Sequence, residues 1–124
     1  MIEYLTHIQD LLNASPFVYE PSITFEDRGD AWFVRGDVYF IDNSRLHFRE
    51  LFVGQGIFAK IAYSYHYQRA DESIVFRYDN ISHYPHLPSA PHHKHVGDEA
   101  VIAAELPDFE AVLREIERLM DTGR

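Results

Sequence analysis

The sequence predicts an α+β fold: a single antiparallel meander sheet of about five strands, with N-terminal and C-terminal helices packed on one face. Three observations carry this. The two ends of the chain place apolar residues at helical spacing. The middle alternates aromatic or β-branched residues with polar ones. The breaks between those segments are short turns, which join neighbouring strands directly.

Residues 2–13 set Leu5, Ile8 and Leu12 at helical spacing, with Tyr4 and Leu11 beside them, and the stretch from Asn13 to Pro16 ends the helix. The first strand, 17–26, holds Phe17, Tyr19, Ile23 and Phe25, and Asp27-Arg28-Gly29-Asp30 is a turn signal. In 31–41, Trp32, Val34, Val38 and Phe40 share one face, and Asp42-Asn43-Ser44 turns the chain again. Residues 45–53 carry Leu46, Phe48 and Phe52 before Gly54-Gln55-Gly56 interrupts. That interruption lacks the lysine and the strand-to-helix context of a phosphate loop. Two more strands, 57–68 and 73–79, flank Arg69-Ala70-Asp71-Glu72. Residues 80–100 contain Pro85, Pro88 and Pro91 and read as irregular, a length that compact domains rarely carry without a functional reason. Residues 101–104 form a short strand. Pro107 then opens a helix with Phe109, Val112, Leu113, Ile116, Leu119 and Met120 at helical spacing. Asp108 and Glu110 suit its first turn, Arg114 and Arg118 lie nearer its end, and Gly123 follows it. With no repeat or linker, residues 1–124 form one domain.

Composition narrows the function classes. The chain has 124 residues, 46% of them hydrophobic and 15% aromatic, too apolar for a disordered chain. It contains no cysteine, which excludes a disulfide scaffold, an iron–sulfur cluster, a cysteine-ligated zinc and a thiol nucleophile. The N-terminus lacks the pattern of a signal peptide and no run suffices to span a membrane, so the expected location is the cytoplasm. A net charge of −9 argues against general coating of nucleic acid. The charge is uneven. Asp98 to Arg124 holds eight acids and three basic residues, a net of −5, whereas Asn80 to Gly97 holds no acid, one lysine and five of the eight histidines.

Two clusters carry possible chemistry. In the hairpin 57–79, alternation puts Tyr63, Tyr65 and Tyr67 on one face and Ser64, His66 and Gln68 on the other. Hydrophobic matching pairs Gln68 with Ser73, which sets His66 opposite Val75 and Ser64 opposite Arg77. The polar face then collects Ser64, His66, Gln68, Arg77 and Asp79. Such a face is ordinary wet surface for Ser64 and Gln68 alone, but histidine beside arginine and aspartate titrates near neutrality. Asp79 alternatively caps the turn into Asn80. Arg49 and Glu50 read most simply as a solvated pair of strand charges.

The second cluster runs from Ser82 to His95 and includes His83, His86, His92, His93, Lys94 and His95. Three functional readings compete with a plain exposed loop. His92, His93 and His95 would offer imidazoles to Zn²⁺ or Ni²⁺, although their spacing is poor evidence for a closed site. Alternatively the histidines exchange protons while Lys94 stabilises developing negative charge. Metal-free RNA cleavage needs those parts: a base for the 2′-hydroxyl, an acid for the 5′-oxygen and a cation near the phosphorane. The third reading is passive phosphate binding.

At these clusters the chain resembles a known family. Tyr63-Ser64-Tyr65-His66-Tyr67-Gln68, then Phe76-Arg77-Tyr78-Asp79-Asn80, then His83, then Pro91-His92-His93-Lys94-His95-Val96-Gly97 are similar to the TumE-type toxins of prokaryotic toxin–antitoxin pairs. The resemblance runs from about Val34 through the C-terminal helix and includes Phe48-Arg49-Glu50. It implies an antitoxin partner and an mRNA-cleaving activity. It supplies no catalytic residues, so the candidates are positions where the family pattern and the physical argument coincide.

The leading expectation is a metal-independent endoribonuclease toxin without a cofactor. His66 is one general acid or base and one of His92, His93 and His95 its partner. Arg77, Lys94 and Arg49 bind phosphate, with Ser64, Gln68, Tyr78, Asp79 and His83 in support. The mechanism requires the 80–97 segment to fold back across the polar face of strands 57–79. The rivals are a non-enzymatic partner of an antitoxin or regulator, and a His-rich metal-binding protein. A homodimer through an edge strand or the last helix fits the pattern equally.

Overall fold

A computed structural model describes residues 1–98 and 100–122. Helix α1 (Ile2–Ala14) leads into seven strands: β1 (Val18–Asp27), β2 (Ala31–Phe40), β3 (Arg45–Gln55), β4 (Ile57–Gln68), β5 (Ile74–Asp79), β6 (His93–Val96) and β7 (Ala100–Ala103). Helix α2 (Phe109–Asp121) follows. The strands form one sheet in sequence order, each antiparallel to the next. The sheet is therefore the expected meander, longer by two strands. The addition hidden in the sequence is β6, which lies inside the stretch read as irregular. Its residues His-Lys-His-Val lack an apolar alternation, and three prolines precede them. Gly123 lies outside the described residues.

Local chemistry explains the turns. Asp27, Asp42 and Asp71 each accept the backbone N–H two residues on, at 2.8, 3.0 and 2.9 Å, the Asx geometry that aspartate favours. Gly56 closes the β3–β4 hairpin with φ 79°, a left-handed conformation that costs glycine little. Asp108 caps α2 by accepting from the Ala111 N–H at 2.7 Å.

Both helices cover one face of the sheet. Ile8 and Leu12 of α1 join Phe109, Val112, Leu113 and Ile116 of α2 over Val34, Val38, Phe40, Leu46, Phe48, Tyr65, Tyr67 and Phe76. Phe48 sits at the centre, its ring 4.9 Å from Phe109 and 6.3 Å from Tyr65. Each such side chain contributes about 1.5–3 kcal/mol by leaving water. Gly36 lies beneath it, where a β-carbon would come within 2.7 Å of the Phe48 ring.

The arginine–glutamate pair at 49–50 departs from expectation. Arg49 is exposed, but Glu50 is 2% exposed under the helices. Successive strand residues point to opposite faces, so the two charges do not share an environment. Glu50 accepts from the Tyr4 hydroxyl at 2.7–2.8 Å and from the Tyr65 hydroxyl, and lies 3.5 Å from the Lys60 ammonium. Lys60 also donates to the Tyr65 oxygen and, at 3.0 Å, to the Pro107 carbonyl. Burial drives the Lys60 ammonium below its usual range, and Glu50 opposes that drift. The same burial, with Glu50 beside them, raises the Tyr4 and Tyr65 hydroxyls far above theirs.

Candidate functional site

Among the described residues, no helix covers the other face of the sheet. Its side chains follow from strand register. The β4–β5 hairpin closes at Arg69, whose N–H donates to Ser73 O at 2.9 Å, one residue beyond the expected closure. An irregularity between Tyr67 and Gln68 adds a second residue. The register is thus shifted by two: His66 faces Arg77 and Ser64 faces Asp79, instead of Val75 and Arg77. A shift of two preserves the faces, so the expected polar set stays together.

Two rows result, each crossing five strands. In one, Asp37, His47, His66, Arg77 and His95 are successive cross-strand partners. In the other, Arg35, Arg49, Ser64, Asp79 and His93 are. Directly opposed residues have β-carbons about 4.5–5.5 Å apart, close enough to interact. His66 and His95 flank Arg77 from either side.

The second row is anchored by Asp79, which is 2% exposed. Its carboxylate lies 2.8 Å from His93 Nε2, accepts from Arg77 Nε at 3.0 Å, and accepts from the Ile81 N–H at 3.1 Å. The last bond is the turn cap expected of it. His93 is equally buried, and its Nδ1 lies 3.0 Å from the Pro91 carbonyl oxygen. Both ring nitrogens thus face oxygen atoms. Enclosed in this way, His93 ties Asp79 to β6. His95 Nε2 is 3.8 Å from the other Asp79 oxygen and is open to solvent on one side.

His66 and His95 are the imidazoles that stand in register with Arg77. Partial burial holds His66 below the usual imidazole range, and the adjacent Arg77 charge adds to this, while a hydrogen bond with Gln68 opposes it. Burial also lowers His95, against the pull of Asp79. At the far end of the row, Asp37 accepts from Arg45 Nε at 2.8 Å and lies 2.9 Å from His47 Nδ1. Burial alone would raise this carboxyl, but the bonds from Arg45 and His47 outweigh it and hold it low.

Arg35 and Arg49 stand directly opposite one another. Neither makes a hydrogen bond or ion pair with a described residue, and both are exposed. Like charges so placed destabilise a sheet, and an anion between them removes the penalty. They border a pocket of about 340 Å³, closed on one side by Asn80 and Ile81.

The loop from 80 to 92 does cross this face. Tyr84 brings its ring to 4.8 Å from His93 and 5.8 Å from His95. His83 stays exposed in the loop and reaches none of the site. Three further candidates lie on the helix side. Alternation within β6 turns Lys94 away from His93 and His95. Its ammonium donates to Glu115 at 2.6 Å and sits 4.8 Å above the Tyr78 ring. Tyr78 donates to the same carboxylate at 2.6 Å. His92 stacks on Tyr63, with 2.8 Å between its Nδ1 and the Tyr63 hydroxyl. Lys94, Tyr78 and His92 therefore do not join His66.

The metal set expected from 92, 93 and 95 changes for the same reason. Among the described residues, Asp79, His93 and His95 have possible ligand atoms within 4.8 Å of one another. Arg77 already donates to that carboxylate, so a cation there would have to compete with a guanidinium.

Residues 8–120 match the sequence model of the family described as Toxin TumE. The chain belongs to the TumE toxin family. That makes it the toxin component of a toxin–antitoxin system and implies an antitoxin as partner. Searches of curated proteins and of solved structures give no match. Among the described residues of this TumE chain, no helix is long and apolar enough to cross a membrane. The reading from sequence missed Arg35, Asp37, His47 and Tyr84. The first three were signalled by alternation with buried neighbours on β2 and β3. Nothing in the sequence placed Tyr84.

Proposed function

We propose that this TumE toxin is a metal-independent endoribonuclease acting on the open sheet face. The observation that carries the reading is Arg77 held in register between His66 and His95. Their α-carbons are two strand spacings apart, about 10 Å, which leaves room for a phosphodiester between the rings. His66 takes the proton of the 2′-hydroxyl, and the 2′-oxygen attacks phosphorus. The bond from phosphorus to the 5′-oxygen breaks, and His95, 3.8 Å from an Asp79 oxygen, protonates the leaving oxygen. Arg77 offsets the charge on the phosphorane. The products are a 2′,3′-cyclic phosphate and a 5′-hydroxyl. The test is cleavage of a defined mRNA by the purified protein with EDTA present. Cleavage that EDTA abolishes moves Asp79, His93 and His95 to a metal centre and ends the metal-free reading.

Two expected results follow from the charges. His66 must be neutral to act as base, so kcat/KM rises with pH as His66 loses its proton. Because that step lies below the ordinary 6.5, the ascending limb lies below it too. Arg77→Gln removes a positive neighbour and moves the limb of the residual activity to higher pH. A limb that stays put in this variant detaches His66 from the pH profile. Replacing Arg35 and Arg49 together by alanine weakens binding of single-stranded RNA. It also flattens the plot of log affinity against log salt by about 0.7 for each arginine. An unchanged slope means the pair touches no phosphate.

A second reading, docking of an antitoxin or a second copy without catalysis, is favoured by the sheet edge. Strand β7 is Ala-Val-Ile-Ala, with Ile102 47% exposed and no charge within it, a segment open to strand addition. Absence of cleavage under every condition would put this reading first.

A further inference from the structure

The pocket beside Arg35 and Arg49 changes character along its length. Its upper end continues the cationic row. Its lower end is made of Phe33, Leu51 and Ala62, with Ile81 as a wall. Phe33 and Leu51 are cross-strand partners, and Leu51 pairs in turn with Ala62. All three belong to the face that no helix covers. They are half-buried, and Ile81 is 46% exposed. Apolar groups thus gather on a wet face immediately below two guanidinium groups that have no partner among the described residues, and the Arg28 guanidinium sits 5.0 Å from the Phe33 ring centre.

We propose that this pocket is a subsite for one nucleotide of a single strand, with phosphate on Arg35 and Arg49 and the base against Phe33, Leu51, Ala62 and Ile81. Its place in the substrate rests on the ribonuclease reading of the open face. The volume lies within the usual range of small-molecule pockets, about 300–1,000 Å³. Arg49 lies two residues along and two strands across from Arg77, about 12 Å by strand geometry, so the phosphate in the pocket is about two backbone steps from the one that Arg77 would hold. The Asn80 amide is committed: its Nδ2 donates to Ile61 O at 2.8 Å and its Oδ1 accepts from the Tyr63 N–H at 3.3 Å. Asn80 is thereby held in place and fixes the wall that carries Ile81. Apolar and stacking contact holds every base, so the subsite requires that a base be present and accepts all four.

Calorimetric titration of the purified protein with adenosine 5′-monophosphate and with ribose 5-phosphate tests this. The nucleotide is expected to bind at least about tenfold more tightly, the scale of one stacked base. Arg35→Ala is expected to weaken both ligands. Phe33→Leu, which keeps the site apolar, is expected to weaken the nucleotide alone. Equal affinities, no binding of the nucleotide, or a preference that survives Phe33→Leu would each overturn the subsite. Loss of ribose phosphate binding in Phe33→Leu would show a damaged fold, and Ile81→Ser, on the exposed wall, then supplies the same comparison. Nucleotide preference without RNA cleavage leaves the pocket standing and removes the nuclease. Cleavage without preference does the reverse.

Discussion

His66→Ala is expected to lower RNA cleavage by about 10²–10⁴, the scale of losing a general acid or base. The fold should not change. The side chain lies on a face without a helix, and among described residues its hydrogen bonding is to Gln68 at the margin of the row. The variant should bind a 2′-O-methyl RNA, which lacks the nucleophile, as tightly as the parent. His47→Ala is the informative companion. His47 is the cross-strand neighbour of His66 but is held by Asp37, at the end of the row away from Arg77. It should lose far less. Single-turnover cleavage at saturating protein measures both. Equal losses in His66→Ala and His47→Ala, or none in either, would remove His66 from the chemistry.

Glu50→Ala is expected to cost about 3–5 kcal/mol, the scale of breaking a buried ion pair from one side. The variant leaves the Lys60 ammonium, 10% exposed, without its carboxylate, and strips the acceptor from the buried Tyr65 hydroxyl and the half-buried Tyr4 hydroxyl. Typical domains have about 5–15 kcal/mol in hand, so much of the population unfolds. Urea denaturation followed by fluorescence of Trp32 gives the number. Glu50→Leu combined with Lys60→Met should recover the part of the loss that comes from the lone ammonium, because removing both charges together abolishes its desolvation cost, but not the part that comes from the two hydroxyls left without an acceptor. If the double variant is as unstable as the sum of the single ones, the pair is not coupled and the account of this cluster fails.

The legible parts of the fold were those written as local periodicity. Tyr63, Tyr65 and Tyr67 against Ser64, His66 and Gln68 gave the faces of β4 without ambiguity. The register was not legible, because it depended on a turn closing at Arg69 and on a bulge at Gln68, two backbone details that side-chain pattern does not encode. Lys94 shows a different failure. It was joined to His93 and His95 by nearness in sequence, whereas a strand sends it to the opposite face. The alternation was present in His93-Lys94-His95, but the prolines before it hid the strand. Arg49 and Glu50 repeat the lesson: adjacent charges in a strand are on different sides of the protein. Tyr84 reaches His93 only through the path of an aperiodic loop, which no spacing rule anticipates.

The strictly sequential order of the sheet bears on how the toxin comes into being. Every strand pairs with the one just before it, so a growing chain can assemble the sheet hairpin by hairpin from local contacts. The aromatic side of that sheet is different. Phe109, which covers Phe48, and Glu115, which ties down Lys94 and Tyr78, arrive only with the last element made. A nascent or truncated product therefore presents the histidine rows on an incompletely covered, sticky platform. Synthesis itself imposes an order: the histidine rows are complete once β6 is made, and the aromatic back of the sheet is closed only by the final helix.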